Sequence, residues 1–111
     1  MPFLPAAGDI VFAPFPFEED RSRVKKRPCL VLTVDLSASQ FLGAKITTTE
    51  LKQWWAYPLN PGNVDVSSGS IKEKSWINLN RREWILCKDC LCVFATLRPE
   101  ILEIIRSRFL L

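Results

Sequence analysis

A mainly β (α+β) fold, a small barrel or strongly bent sheet of about six to seven short strands capped by one C-terminal amphipathic helix, is what this sequence predicts. Three observations carry that expectation. Most of the chain divides into short alternating or β-branched apolar runs. Clusters of Pro, Gly, Asn and Ser separate those runs. Helical spacing occurs only near the C-terminus, where Ile101, Ile104, Ile105 and Phe109 recur at intervals of three and four. With 111 residues and no internal repeat, a single domain over 1–111 is expected, with room for one main core.

The first strand opens at Gly8-Asp9 and runs through Ile10-Val11-Phe12 into Ala13-Pro14-Phe15-Pro16-Phe17. Two prolines forbid a fully paired interior position there, which implies an edge strand or a rigid rim with Phe15 and Phe17 on one face. The chain then turns to acids followed by bases, Glu18, Glu19 and Asp20, then Arg21, Arg23, Lys25 and Lys26, a composition suited to a solvated hairpin loop. Arg27-Pro28 leads into Cys29–Val34, a continuous apolar run that reads as a buried strand. Pro28 biases Arg27 toward extended backbone, so the guanidinium stands on a rigid edge. Asp35–Gln40 is polar and reads as a loop, and Ala44–Thr49 is the next strand. Trp54, Trp55, Tyr57 and Leu59 precede Asn60-Pro61-Gly62-Asn63 and then Val64 and Val66, a pattern of two strands around a tight turn. Ser67-Ser68-Gly69-Ser70 reads as a flexible connector. Ser75–Leu79, Trp84–Leu86 and Leu91–Phe94 are further short strands. In the helix, Pro99 suits the first turn, with Glu100 and Glu103 early and Arg106 and Arg108 late, as the helix dipole favours.

Composition narrows the function classes. Nearly half of the residues are apolar and about a quarter charged, as in an ordinary soluble domain, and the net charge of +3 is too mild to argue for nucleic acid by itself. No apolar run approaches the roughly 20 residues of a membrane helix. The N-terminus lacks a signal-peptide pattern, so a cytoplasmic protein without a membrane partner is expected. The cysteines are poorly spaced for zinc: Cys87 and Cys90 form one pair, Cys29 is distant, and the chain has no histidine. No metal and no cofactor are expected. Cys90 and Cys92 are instead expected to alternate with Leu91 and Val93 on a buried strand, as small hydrophobes.

The order of these features resembles the MazF/PemK-like toxins of type II toxin-antitoxin systems. The resemblance rests on Gly8-Asp9-Ile10-Val11 with Phe15-Pro16-Phe17, on Lys26-Arg27-Pro28-Cys29-Leu30-Val31-Leu32, on Ile46-Thr47-Thr48, and more loosely on Lys74-Ser75-Trp76-Ile77 and the terminal helix. It implies an SH3-like barrel, a homodimer, metal-independent and sequence-specific cleavage of single-stranded RNA, and a cognate antitoxin that covers the RNA groove. By the same resemblance Arg27 matches the family's essential arginine and Thr47 its hydroxyl residue, with Thr48 the alternative if the register differs by one. Gly8 permits the opening turn, Asp9 braces it, and Pro28 completes the structural motif. The family's assisting histidine has no counterpart here.

Such cleavage takes its nucleophile from the substrate's own 2′-hydroxyl, so the protein must orient that group, stabilise charge on the phosphoryl oxygens and manage protons. An arginine fork fits the second task. Arg21, Arg23, Lys25 and Lys26 are placed along the RNA backbone, together with Glu50, and Phe17, Trp54 or Trp55 are candidates to stack a base. No general base is assigned; Glu50 and the acids of Glu18–Asp20 are the carboxylates available to approach the site. A catalytically silent RNA- or peptide-binding barrel and a gyrase-targeting toxin of the same fold are the competing readings.

Overall fold

The computed structural model describes residues 4–65, 69, 71 and 74–109. Six strands, β1 (Asp9–Pro16), β2 (Val24–Asp35), β3 (Gln40–Thr47), β4 (Ala56–Leu59), β5 (Ser75–Leu86) and β6 (Cys92–Thr96), precede one helix, α1 (Pro99–Phe109). All pairings are antiparallel, in one sheet of order β4-β5-β3-β2-β1-β6. The sheet curls until the segments beyond its edge strands meet. Val64 bridges Leu97, the Asp65 N–H donates to the Thr96 carbonyl at 2.8 Å, and the Arg98 N–H donates to the Asn63 carbonyl at 2.9 Å.

This curl buries both faces of the central strands. Ile10, Leu30, Leu32, Ala44, Ile46 and Ile77 point into one cluster, which α1 covers with Ile105. Val11, Ala13, Phe15, Cys29, Val31, Phe41 and Ile85 form a second cluster on the other side. Burial on both faces explains why Cys29–Leu32 is apolar throughout instead of alternating. The opening turn is set by Gly8, whose φ of +96° lies in the range that favours glycine and whose N–H donates to the Val31 carbonyl at 2.8 Å. Asp9 holds the same turn, its carboxylate accepting from the Ala6 N–H at 2.8 Å and the Thr96 hydroxyl at 3.0 Å. A Cβ at Gly8 would also stand 3.2 Å from Leu102 Cδ2 of α1. Gly8→Ala is therefore expected to cost about 1–3 kcal/mol, read as a lower midpoint in urea unfolding.

Several local expectations need correction. β2 starts at Val24 and passes through Pro28, because before Cys29 it pairs only with β1 and a missing N–H is tolerated on the free side. β1 is an edge only in its second half, since β6 pairs with it from Asp9 to Phe12 alone. Val64 makes an isolated bridge to Leu97, to which the Pro61–Asn63 3-10 turn delivers it, and Val66 lies outside the described residues. Of the connector Ser67-Ser68-Gly69-Ser70, only Gly69 lies within the described residues. Ser75–Leu79 and Trp84–Leu86 are one strand, β5, joined through Leu79, Asn80 and Arg81, which have no β3 partner between the Ala44–Arg82 and Lys45–Asn78 pairs. The cysteine expectation fails as well: Cys90 is half-buried before β6 begins, and Cys92 and Leu91 are exposed. Cys29 and Cys87 are the two buried thiols, and all four are free.

Candidate active site

Side chains alternate across a strand, so the register assigns each polar residue to a face. Ala44 and Ile46 of β3 point into the helix-covered core, which puts Lys45 and Thr47 on the opposite face, with Phe41 and the second cluster. Lys45 is paired with Cys29 of β2 on one side and Asn78 of β5 on the other. The β2–β3 ladder ends there; continued by two residues, its register sets Arg27 across from Thr47, which is paired in turn with Trp76. Beyond the apolar part of this face, the sheet thus presents two neighbouring rows, Arg27–Thr47–Trp76 and Cys29–Lys45–Asn78. The three-residue bulge in β5 adjoins the Lys45 row, and bulges are frequent beside active sites because they redirect side chains.

The cations on this face divide into two kinds. Arg81 is nearly buried and held at both Nη atoms: its Nη2 donates to the Pro16 carbonyl at 2.9 Å, its Nη1 lies 3.5 Å from Glu83 Oε2, and its guanidinium sits 5.3 Å from the Phe15 ring centroid. Its buried Nε has no hydrogen-bond partner among the described residues. Arg21 joins the same carboxylate in a two-pronged pair, with Nη1 2.9 Å from Glu83 Oε2. That hydrogen bonding holds the Glu83 carboxyl below its usual pKa range, against burial, which pushes it up. Arg27 and Lys45 are different. Both are half-buried, and among the described residues neither forms a salt bridge. Arg27 lies 5.7 Å from the Phe17 ring centroid, and Arg23 lies 4.8 Å from the same ring. The pKa of Lys45 is lowered first by burial and then by the nearby charges of Arg27 and Arg81, with Glu18 and Glu19 acting in the opposite sense. Half-buried cations without carboxylate partners, beside a hydroxyl, form a ready anion site.

A family model described as PemK-like, MazF-like toxin of type II toxin-antitoxin system matches residues 6–109. The chain belongs to this toxin family. Comparison with curated proteins gives no match. Membership in a type II system implies an antitoxin protein as the toxin's partner. No helix among the described residues is long and apolar enough to cross a membrane, and no group of three or more Cys, Asp or Glu side chains among them is arranged to hold a metal ion.

The toxin brings some of the sequence-predicted residues together and separates others. Arg27 and Thr47 share a face and a row. Thr47 Oγ1 accepts from the Thr49 N–H at 3.1 Å, which fixes the hydroxyl and leaves its O–H to donate outward. Thr48 lies beyond the end of β3 and is exposed. Lys25, opposite Phe15, is on the face of Arg27; Lys26, opposite Pro14, is on the other. Arg21 is engaged by Glu83. Phe17 is half-buried beneath two guanidinium groups. Glu50 is exposed, its carboxylate 3.5 Å from Lys52 Nζ in the loop after β3. Gly8 and Asp9 hold the turn before β1, while Pro28 lies within β2 beside Arg27. Trp54 is exposed and Trp55 half-buried in the loop before β4, whereas Trp76 stands in the row of Thr47.

Lys45, Asn78, Arg81 and Glu83 were not identified from the sequence as members of this face. Lys45 carried a usable signal, a lysine between Ala44 and Ile46 in an otherwise apolar strand. Arg81 and Glu83 carried none, because the bulge that places them depends on pairing between distant segments.

Proposed function

We propose that this toxin is an endoribonuclease that cuts single-stranded RNA in the cytoplasm at a recurring sequence, with the substrate's 2′-hydroxyl as nucleophile and no metal. The observation that carries this reading is the register that sets Arg27 across from Thr47 beside the unpaired cation Lys45. The 2′-oxygen bonds to phosphorus as the bond to the 5′-oxygen breaks, leaving a 2′,3′-cyclic phosphate and a 5′-hydroxyl. Arg27 neutralises the phosphoryl oxygens, and the Thr47 O–H, fixed by the Thr49 contact, donates to one of them. Lys25 and Arg23 lie along the approach to Arg27 and hold the RNA backbone. Trp76 is the aromatic best placed to stack a base next to the cut, in preference to Trp54 and Trp55. The toxin acts as a homodimer, and its antitoxin silences it by covering this face.

The test is cleavage of a long end-labelled RNA by purified toxin in excess EDTA. Cuts at one recurring sequence are expected, with Thr47→Val slower by about 100-fold and equally folded. Intact RNA that is nevertheless bound would favour a silent binding module instead.

A further inference from the structure

Transphosphorylation must deliver a proton to the departing 5′-oxygen, and this chain has no histidine to supply it. We propose that Lys45 is the general acid that protonates that oxygen, an inference that rests on the ribonuclease reading above. The 2′-oxygen–phosphorus bond forms as the phosphorus–5′-oxygen bond breaks. The Lys45 ammonium passes one proton to the 5′-oxygen, the 2′-hydroxyl proton leaves to solvent, and the Lys45 amine regains a proton from solvent.

Geometry supplies the main support. Lys45 lies one alternation from Thr47 on the same face, paired with Cys29, which is itself one alternation from Arg27. A phosphate held by Arg27 and Thr47 therefore has Lys45 as its cationic neighbour on the β3 side, while Lys25 lies on the far side of Arg27 toward the β1–β2 loop. Lys45 has no salt bridge among the described residues, whereas Glu83, on the same face across from Gly43, is already taken by Arg21 and Arg81. The ordinary alternatives fit less well. A guanidinium is a poorer proton donor than an ammonium. Thr47 is a weaker acid still, and Glu50 is on a separate loop beside Lys52.

The groups facing Lys45 make it a better acid than a free lysine. Burial, Arg27 from β2 and Arg81 from the β5 bulge all disfavour its charged form; Glu18 and Glu19 of the β1–β2 loop restrain that shift, and Cys29 is a buried thiol kept neutral by a pKa raised to about 12. The sign follows directly. The acid works only when protonated, so the rate is full below the pKa of Lys45 and falls above it, at a lower pH than an ordinary lysine would give.

The test compares wild type, Lys45→Met and Lys45→Arg on two RNAs of the mapped target sequence, one with the natural 5′-oxygen at the cut and one with sulfur there, a leaving group that departs without a proton. On the natural substrate both variants should be at least about 100-fold slower, and the alkaline fall should vanish. On the sulfur substrate Lys45→Met should recover to within a few-fold of wild type, while Arg27→Ala should stay slow. Lys45→Arg matching wild type on the natural RNA, or Lys45→Met staying slow on the sulfur RNA, would overturn the proton role and leave the ribonuclease reading standing. Wild type that cuts neither RNA would overturn both.

Discussion

Arg27→Ala is expected to slow RNA cleavage by about 100 to 1,000-fold while leaving the fold intact. The loss is large because a phosphoryl group in the transition state gathers charge at the place where the guanidinium is already fixed. Pro28 and the pairing with Ala13 hold its backbone, and the Phe17 ring lies against the side chain. The fold survives because Arg27 precedes the β2–β3 ladder and, among the described residues, its guanidinium has no carboxylate to leave stranded. Far-UV circular dichroism and the thermal midpoint should stay close to wild type while the cleavage rate collapses. Lysine at this position keeps the charge but not the planar fork, so Arg27→Lys should restore only part of the rate. Removing the Arg27 charge also relaxes Lys45 toward an ordinary lysine, which should move the alkaline fall of any residual activity to higher pH.

Glu83→Ala is expected to strike stability first. It leaves the nearly buried Arg81 without its carboxylate, and the Nε of Arg81 already lacks a partner among the described residues. Stranding a buried charge costs about 3 kcal/mol, a large share of the roughly 5–15 kcal/mol available to a domain. A fall in melting temperature of more than about 10 °C is the readout. If the cost comes from the stranded cation, Arg81→Met combined with Glu83→Leu should recover most of it, because both charges are then gone. The pH dependence has a definite sign. Folding depresses the pKa of Glu83, so its contribution is present above the unfolded carboxylate's pKa of about 4.3 and is lost as pH falls through the lower folded value. The stability gap between wild type and Glu83→Gln should therefore narrow in acid.

How much of this was legible in the sequence follows from the range of the interactions involved. The apolar run Cys29–Val34, the prolines of β1 and the spacing in α1 are local signals, and each leads to the observed element. Arg27 was legible because Pro28 dictates its local conformation. Its position across from Thr47, beyond the end of the β2–β3 ladder, depends on register between two strands and has no local signal. The long β5 looks like two pieces in the sequence because its bulge interrupts the alternation at Leu79–Arg81. That same bulge hides the Arg21–Glu83–Arg81 cluster, so the carboxylate partner of Arg21 is not legible in the sequence. The apolar neighbours of Cys92 suggest burial, but β6 is an edge strand whose first residue reaches solvent.

In the proposed reaction RNA supplies its own nucleophile on a face built around Arg27 and Thr47. Its most direct test is a pair of short RNAs carrying the mapped cut site, identical except for one 2′-deoxynucleotide on the 5′ side of the scissile bond. The toxin should cut the all-ribose strand to a 2′,3′-cyclic phosphate and leave the substituted strand whole at that bond. Cleavage of the substituted strand at the same bond and a comparable rate would rule out the 2′-hydroxyl as nucleophile.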